Sequence, residues 1–404
     1  MKNIRTWMIT ALGCALLAAC GGSDPTVPGN GSPSGAPTTK GTFTSLVTFG
    51  DSLSDIGTYA PATSLTGNGQ PPYFGGKFTT NNGSAGTIWV ENLATTLGII
   101  TTPAEVGFAG NSVQCPAAAD PTLASTCTSY GQGGSRVTDP NGIGHVTASG
   151  APAALTVPVV TQIANHLARF GSFHDSDLIL IWAGNNDAFA QFSAFSVAAA
   201  QIQADAAAGT ITADQANQRL FEAQSDAQQA MKQAAQELTE YIKTQILAKG
   251  GKYVAVMNLP DSTLTPLGAS LLASPATAAG VPVLSGLVDV FNLWLRDGLT
   301  DVPVQIIDQN TPGKDVYANP GKYGLVNNTT PACDATKISA ITAGAVTDGS
   351  SLFCNVTPGA PYNGLRDGAD VLTWQFADSV HPTTGGHKII SDYVTQQLHA
   401  FGWI

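Results

Sequence analysis

The sequence predicts an α/β fold: a three-layer α/β/α sandwich with a central parallel sheet and long decorated loops. Three observations predict it. Four short runs are apolar throughout, as strands buried on both faces must be. Segments with helical periodicity lie between and after them, the alternation that parallel strands with crossover helices require. Three of the four runs break off at polar or glycine-rich residues, and sites in such sheets form at the carboxyl ends of strands.

The first run is Ser45-Leu46-Val47-Thr48-Phe49, ending at Gly50. The second, Leu178-Ile179-Leu180-Ile181-Trp182, ends at Ala183-Gly184. The third, Tyr253-Val254-Ala255-Val256-Met257, ends at Asn258-Leu259-Pro260. The fourth spans 302–307 and ends at Asp308; Pro303 suits the first residues of a strand or a sheet edge. A long helix is predicted over 211–248, rich in Ala, Gln, Glu and Lys. Thr212-Ala213-Asp214-Gln215 has the form of a capping box at its start, and Gly250-Gly251 stop it before the third strand. Leu284 to Leu299 is amphipathic, with Leu287, Val290, Phe291, Trp294 and Leu295 on one side. Thr383 to Phe401 forms the last helix. Regions 58–88, 107–157 and 309–372 show little period and read as insertions that build a rim around a site.

The ends of the chain are different in kind. Lys2 and Arg5 precede a short apolar run, Trp7 to Ala18, as in a signal peptide. Leu17-Ala18-Ala19-Cys20 resembles a bacterial lipobox, which implies lipidation of Cys20 and a membrane anchor. Residues 1–19 are thus read as a lipoprotein signal peptide, 20–42 as a Gly/Ser/Pro-rich tether, and 43–404 as one domain. Cys115, Cys127, Cys333 and Cys354 remain for the domain, and four cysteines allow three pairings. The local one, Cys115–Cys127 with Cys333–Cys354, closes two short loops in an oxidising compartment. A zinc site is the weaker alternative, because no C-x-x-C pair or histidine at ligand spacing accompanies them. The formal net charge of -11 repels phosphate backbones, which excludes nucleic acid as a natural partner.

Chemistry gathers where the runs end. Gly50-Asp51-Ser52-Leu53-Ser54-Asp55 exposes a serine just past a buried strand, and a serine hydroxyl becomes nucleophilic only when a base takes its proton. Among six histidines, His381 has Asp378 three residues before it, close enough for the carboxylate to accept the imidazole Nδ1–H. Gly184-Asn185-Asn186-Asp187 offers side-chain N–H groups at the second strand's end, and Gly133-Gly134-Ser135-Arg136 offers a backbone N–H in a loop where glycine permits close approach. Asn185 reads as a turn residue. His166, His174 and His399 read as packing or surface histidines, and His387 as pointing away from the serine.

These stretches resemble, in order, the blocks of the SGNH/GDSL hydrolase superfamily. Gly50-Asp51-Ser52-Leu53 resembles its first block and implies Ser52 as nucleophile. Gly134 resembles the glycine of the second, and Asn186 the asparagine of the third; with the Ser52 N–H they would form the oxyanion hole. Asp378-Ser379-Val380-His381 resembles the last, implying a Ser52, Asp378, His381 triad. Phe78 to Gly83 and Trp89-Val90-Glu91 are also similar to the family. The resemblance spans roughly 44–400 and implies a flavodoxin-like fold, a carboxylic ester hydrolase working through an acyl-enzyme, and neither metal nor cofactor. The chain has no G-x-S-x-G pentapeptide, which the classical α/β-hydrolases use.

The rival readings are an envelope phospholipase, lysophospholipase or acyltransferase with the same triad, a non-catalytic phosphate-binding module, and a surface protein that has lost activity. Aromatic residues Tyr59, Tyr73, Phe74 and Phe78 would suit an acyl chain. Asp51 and Asp55 crowd the first turn with negative charge and disfavour a phosphate. An exported protein in the cell envelope, at the outer membrane or periplasmic face, is the expected setting. Oligomeric state, acyl length and alcohol are not fixed by the sequence.

Overall fold

The computed structural model describes residues 35–63, 75–359 and 362–404. Cys20, the signal segment, most of the tether, and Tyr73 and Phe74 lie outside the described residues. Among the described residues there are six strands: β1 Ser45–Gly50, β2 Glu105–Phe108, β3 Asn111–Gln114, β4 Asp177–Trp182, β5 Tyr253–Met257 and β6 Gln305–Ile307. The main sheet has the order β1-β4-β5-β6 and is parallel throughout. All four expected strands are there; the fourth begins only at Gln305, past Pro303. A short segment extends the sheet beyond β1, since the Thr48 N–H donates to Thr128 O (3.0 Å) and the Tyr130 N–H to Thr48 O (2.8 Å). β2 and β3 form a separate antiparallel hairpin that runs into the region 107–157, read from sequence as an unpatterned insertion.

Side chains alternate across the sheet and so divide the core in two. Val47, Phe49, Ile179, Ile181, Val254 and Val256 face one side. There they meet α2 (Val159–Phe170), α4 (Ala213–Tyr241) and α5 (Val281–Gly298). Leu46, Leu178, Leu180, Trp182, Ala255 and Met257 face the other side, against α1 (Trp89–Leu97) and α6 (Thr384–Ala400). This is the three-layer sandwich the sequence predicts. α3 (Asn185–Ala207) follows β4 directly and packs along α4.

The capping box at the start of α4 is formed: the Gln215 N–H donates to Thr212 Oγ1 (3.2 Å) and the Thr212 N–H to Gln215 Oε1 (2.8 Å). The helical run reaches Lys249, close to the predicted end, but only the part up to Tyr241 is α-helix. After Tyr241 the chain makes a π turn over Ile242–Ile246 and a tight turn to Lys249, then reverses at Gly250 (φ 99°). The domain also starts before residue 43. The Gly41 N–H donates to Trp403 O (2.8 Å), Trp403 Nε1 to Pro37 O (2.8 Å), and Tyr253 Oη to Thr39 O (3.3 Å). Both disulfides have the local pairing, Cys115–Cys127 and Cys333–Cys354, which removes the zinc alternative.

Candidate active site

β1 delivers Ser52. Its last residue, Gly50, has φ 155°, and a Cβ there would lie 2.1 Å from Trp182 O, so only glycine lets β1 and β4 close at this end. Gln162 of α2 clamps the same residue: it accepts the Gly50 N–H (2.9 Å) and donates to Gly50 O (2.8 Å). Asp51 then caps a single 3₁₀ turn, Ser52–Ser54, by accepting the Leu53 N–H (3.0 Å). Its other oxygen accepts Asn185 Nδ2 (3.0 Å), which ties the turn after β1 to the turn after β4. Asn185 thus has a definite structural partner, beyond the plain turn role expected of it. Burial pushes the Asp51 carboxyl up, against the opposing pull of these hydrogen bonds and of His381.

Ser52 Oγ lies 2.8 Å from His381 Nε2. His381 Nδ1 lies 2.8 Å and 2.9 Å from the two oxygens of Asp378. Asp378 is itself tightly held, accepting the N–H groups of Ser351 (2.9 Å), Val380 (3.0 Å) and His381 (2.8 Å). Burial alone would raise the Asp378 pKa, but the His381 charge and these hydrogen bonds outweigh it and hold the carboxyl well below the usual range. Burial likewise opposes charge on His381, yet Asp378, with Asp51 and Asp348, raises its pKa above 6.5. The Phe78 ring packs on the imidazole, centroids 4.7 Å apart. His387 points away, with Nε2 3.3 Å from Phe78 O and Nδ1 accepting the Trp89 N–H; burial pushes it down to about 3. His166 stacks on Phe173 at 4.3 Å in the core, and His174 and His399 are exposed.

The glycine loop is held from several sides. Asp55 Oδ2 accepts the Gly133 N–H (2.9 Å), and Tyr59 Oη donates to Gly133 O (2.7 Å). Asp187 receives Arg136 Nε (3.1 Å) and the Val137 N–H (3.0 Å). Gly134 has φ 81°, and a Cβ there would sit 2.1 Å from Ile143 O. Asn186 Nδ2 donates to Ser135 O (2.9 Å), which fixes the amide and leaves its second N–H uncommitted among the described residues. The Ser52 and Gly134 amides donate to no protein acceptor among the described residues. Ser52, Gly134, Asn186, Asp378 and His381 all line one cavity of about 410 Å³, a volume typical of small-molecule sites. Leu53, Phe78, Phe108, Ile143, Phe189 and Leu352 give it apolar walls.

Several residues in this architecture are not legible in the sequence. Gln162 sits among ordinary helical residues. Asp55 and Asp187 carry a weak signal, an acid beside a glycine-rich turn. Burial raises both to about 6, and their hydrogen bonds work against that rise. Tyr59 reads as a loop aromatic but is a buried anchor.

A model of the GDSL-like lipase/acylhydrolase family matches residues 46–394, a span that contains all five of these site residues. The chain belongs to the GDSL-like lipase/acylhydrolase family. It is similar to Esterase EstA of Pseudomonas aeruginosa and Esterase EstA of Pseudomonas putida, each 32% identical over 153 residues. That segment is 37% of this chain and 20% of each relative's length. As a member of this family the chain is built on a parallel α/β sheet, and the candidate site lies at the carboxyl ends of β1 and β4.

Proposed function

We propose that this protein hydrolyses carboxylic esters through an acyl-enzyme on Ser52. The single observation that carries the reading is the unbroken chain of contacts from Ser52 Oγ to His381 Nε2 and from His381 Nδ1 to Asp378. His381 takes the hydroxyl proton as Oγ attacks the ester carbonyl. The developing oxyanion is met by the Ser52 N–H, the Gly134 N–H and the free Asn186 Nδ2–H. His381 then protonates the leaving alcohol, and water releases the acid by the reverse sequence. Asp378 keeps the tautomer that leaves Nε2 facing Ser52 and stabilises the transient imidazolium. The esterase names of the two relatives support the same chemistry.

The cavity favours a neutral ester with an apolar acyl group. Its charged lining residues, Asp348 and Asp378, are both acidic, and no Lys or Arg stands among the described lining residues to receive a phosphate. That weighs against phospholipase or lysophospholipase work; an acyltransferase with the same triad would differ only in the acceptor that releases the acyl group. The test is Ser52→Ala assayed on a panel of p-nitrophenyl esters, phospholipids and acetylated sugars, with fluorophosphonate labelling alongside. Turnover or labelling retained by the variant would overturn the assignment.

Export and anchoring belong to the same proposal. Two disulfides suit an oxidising compartment. Residues 1–19 would be removed as a signal peptide, Cys20 would carry lipid at the outer membrane or periplasmic face, and the stretch after it would tether the domain. Metabolic labelling with an alkynyl fatty acid should mark the protein and fail to mark Cys20→Ser.

A further inference from the structure

The Cys333–Cys354 bridge joins the two sides of the Asp378 carboxylate. On one side, the Cys333 N–H donates to Ala377 O (2.9 Å), immediately before the acid, and the Ala332 N–H donates to Phe376 O (2.8 Å). On the other, the Cys354 N–H donates to Ser351 O (2.9 Å), closing the turn whose first amide, Ser351 N–H, donates to Asp378 Oδ2 (2.9 Å). Asn81 braces this turn by donating Nδ2 to Ser351 O (3.0 Å) and its own N–H to Cys354 O (2.9 Å). The bridge packs in a small core of its own with Ile338, Val356 and Ala377. Much of the loop it closes is exposed from Ala343 to Asp348, and the turn is otherwise held by hydrogen bonds, among them the Gly76 N–H to Leu352 O (2.9 Å) and the Val356 N–H to Asn81 O (2.7 Å). The same loop supplies Asp348, Ser350 and Leu352 to the cavity wall.

We propose that the Cys333–Cys354 bridge is a positioning device for catalysis, which holds the Ser351 amide against Asp378 and so keeps that carboxylate on His381. The proposal rests on the triad reading above. Without the bridge, donor and acceptor sit on segments joined across the site only by weaker links. Asp378 would then lose a charge-assisted hydrogen bond and its fixed orientation. The charged or titratable groups that bear on His381 are Asp378, Asp51, Asp348 and His387. Freeing the loop loosens Asp378 directly and Asp348 with it, and both losses make the imidazole less basic.

The experiment uses the full chain carrying C115S and C127S, so that one bridge remains to respond to a dithiol. Reduction breaks the S–S bond; two electrons and two protons pass to Cys333 and Cys354 as thiols, and the dithiol closes to its own disulfide. The expected result is a fall in kcat of roughly tenfold, the lower end for losing a hydrogen bond to a charged group. The acid limb of kcat/KM moves to lower pH, and both changes reverse on reoxidation. A second variant, S351P, is made in the oxidised protein. Ser350 has φ -47° and ψ 126°, and Ser351 opens a 3₁₀ turn, a place where proline fits the backbone while removing the amide hydrogen. It should reproduce the kcat loss and the limb shift with Asp348 still in place. Unchanged kinetics, or a kcat loss with the acid limb unmoved, would overturn the proposal. Where the buried bridge resists the dithiol, S351P decides alone on the same two readouts. Failure of the triad reading is separate, since it shows as activity in Ser52→Ala.

Discussion

At the scale of single residues, His381 is held on both nitrogens, so its neighbours set its tautomer and basicity. Its pKa lies above 6.5, with Asp378 overcoming the effect of burial. The imidazole must be neutral to accept the Ser52 proton, so activity falls as pH drops through that raised value. The acid limb of kcat/KM is therefore expected to lie higher than that of an ordinary imidazole, because Asp378 favours the charged ring. Asp378→Asn should move it down and lower kcat together, as a pH–rate profile of both enzymes would show. Ser52→Ala should cost about a millionfold in kcat, the scale seen when a serine nucleophile is removed. Asn186→Ala removes one of the proposed oxyanion donors, and the expected loss is roughly a hundred- to a thousandfold in kcat with little change in KM. A change confined to KM would mean that Asn186 binds substrate and transition state equally.

At the scale of elements, the site is three turns locked to one another. The turn after β1 is tied to α3 through Asp51 and Asn185, and to the glycine loop through Asp55 and Gly133. Gly134→Ala meets both a left-handed φ and the Ile143 carbonyl, so it should lower both thermal stability and kcat. Asp55 makes a pH-dependent contribution whose sign can be worked out. Its folded pKa, about 6, exceeds the ordinary 3.8, so the folded state binds its proton more tightly. That contribution is fully present below 3.8 and is lost as pH rises toward about 6. The stability difference between wild type and Asp55→Asn should therefore shift against the wild type over that interval, as urea midpoints taken across it would reveal. The strands were readable because each is apolar on both faces, and the capping box because its two partners are local. The hairpin β2–β3 was not, because its faces carry no clear alternation: Asn111 to Gln114 is exposed throughout. Ser52, His381 and Asp378, which the structure brings into contact, were legible as candidates because one sits at a strand's end and the other two lie three apart, and together they resemble the family's blocks. Gln162, Asp55 and the Ser351 amide were not, because each acts through a contact that only the fold creates.

At the scale of the whole molecule, the two bridges differ in what they hold. Cys333–Cys354 flanks the acid of the site. Cys115–Cys127 closes the segment between the β2–β3 hairpin and the strand-like residues 128–130 that extend the sheet past β1. It spans 12 residues of sequence, and cross-linking a loop of that size removes unfolded-state entropy equivalent to about 3 kcal/mol in the chain-entropy model. The bridge contacts none of the triad residues, so its contribution should appear in stability and not in the chemical step. C115S/C127S is expected to lower the unfolding free energy by about 3 kcal/mol. Its kcat and the position of its acid limb should match the wild type, because Asp378, Asp51 and Asp348 are undisturbed around His381. Denaturant titration and a pH–rate profile on one preparation separate the two effects. A variant that kept its stability but lost its acid limb would show that the β1 edge communicates with the imidazole, contrary to the division of labour described for the two bridges.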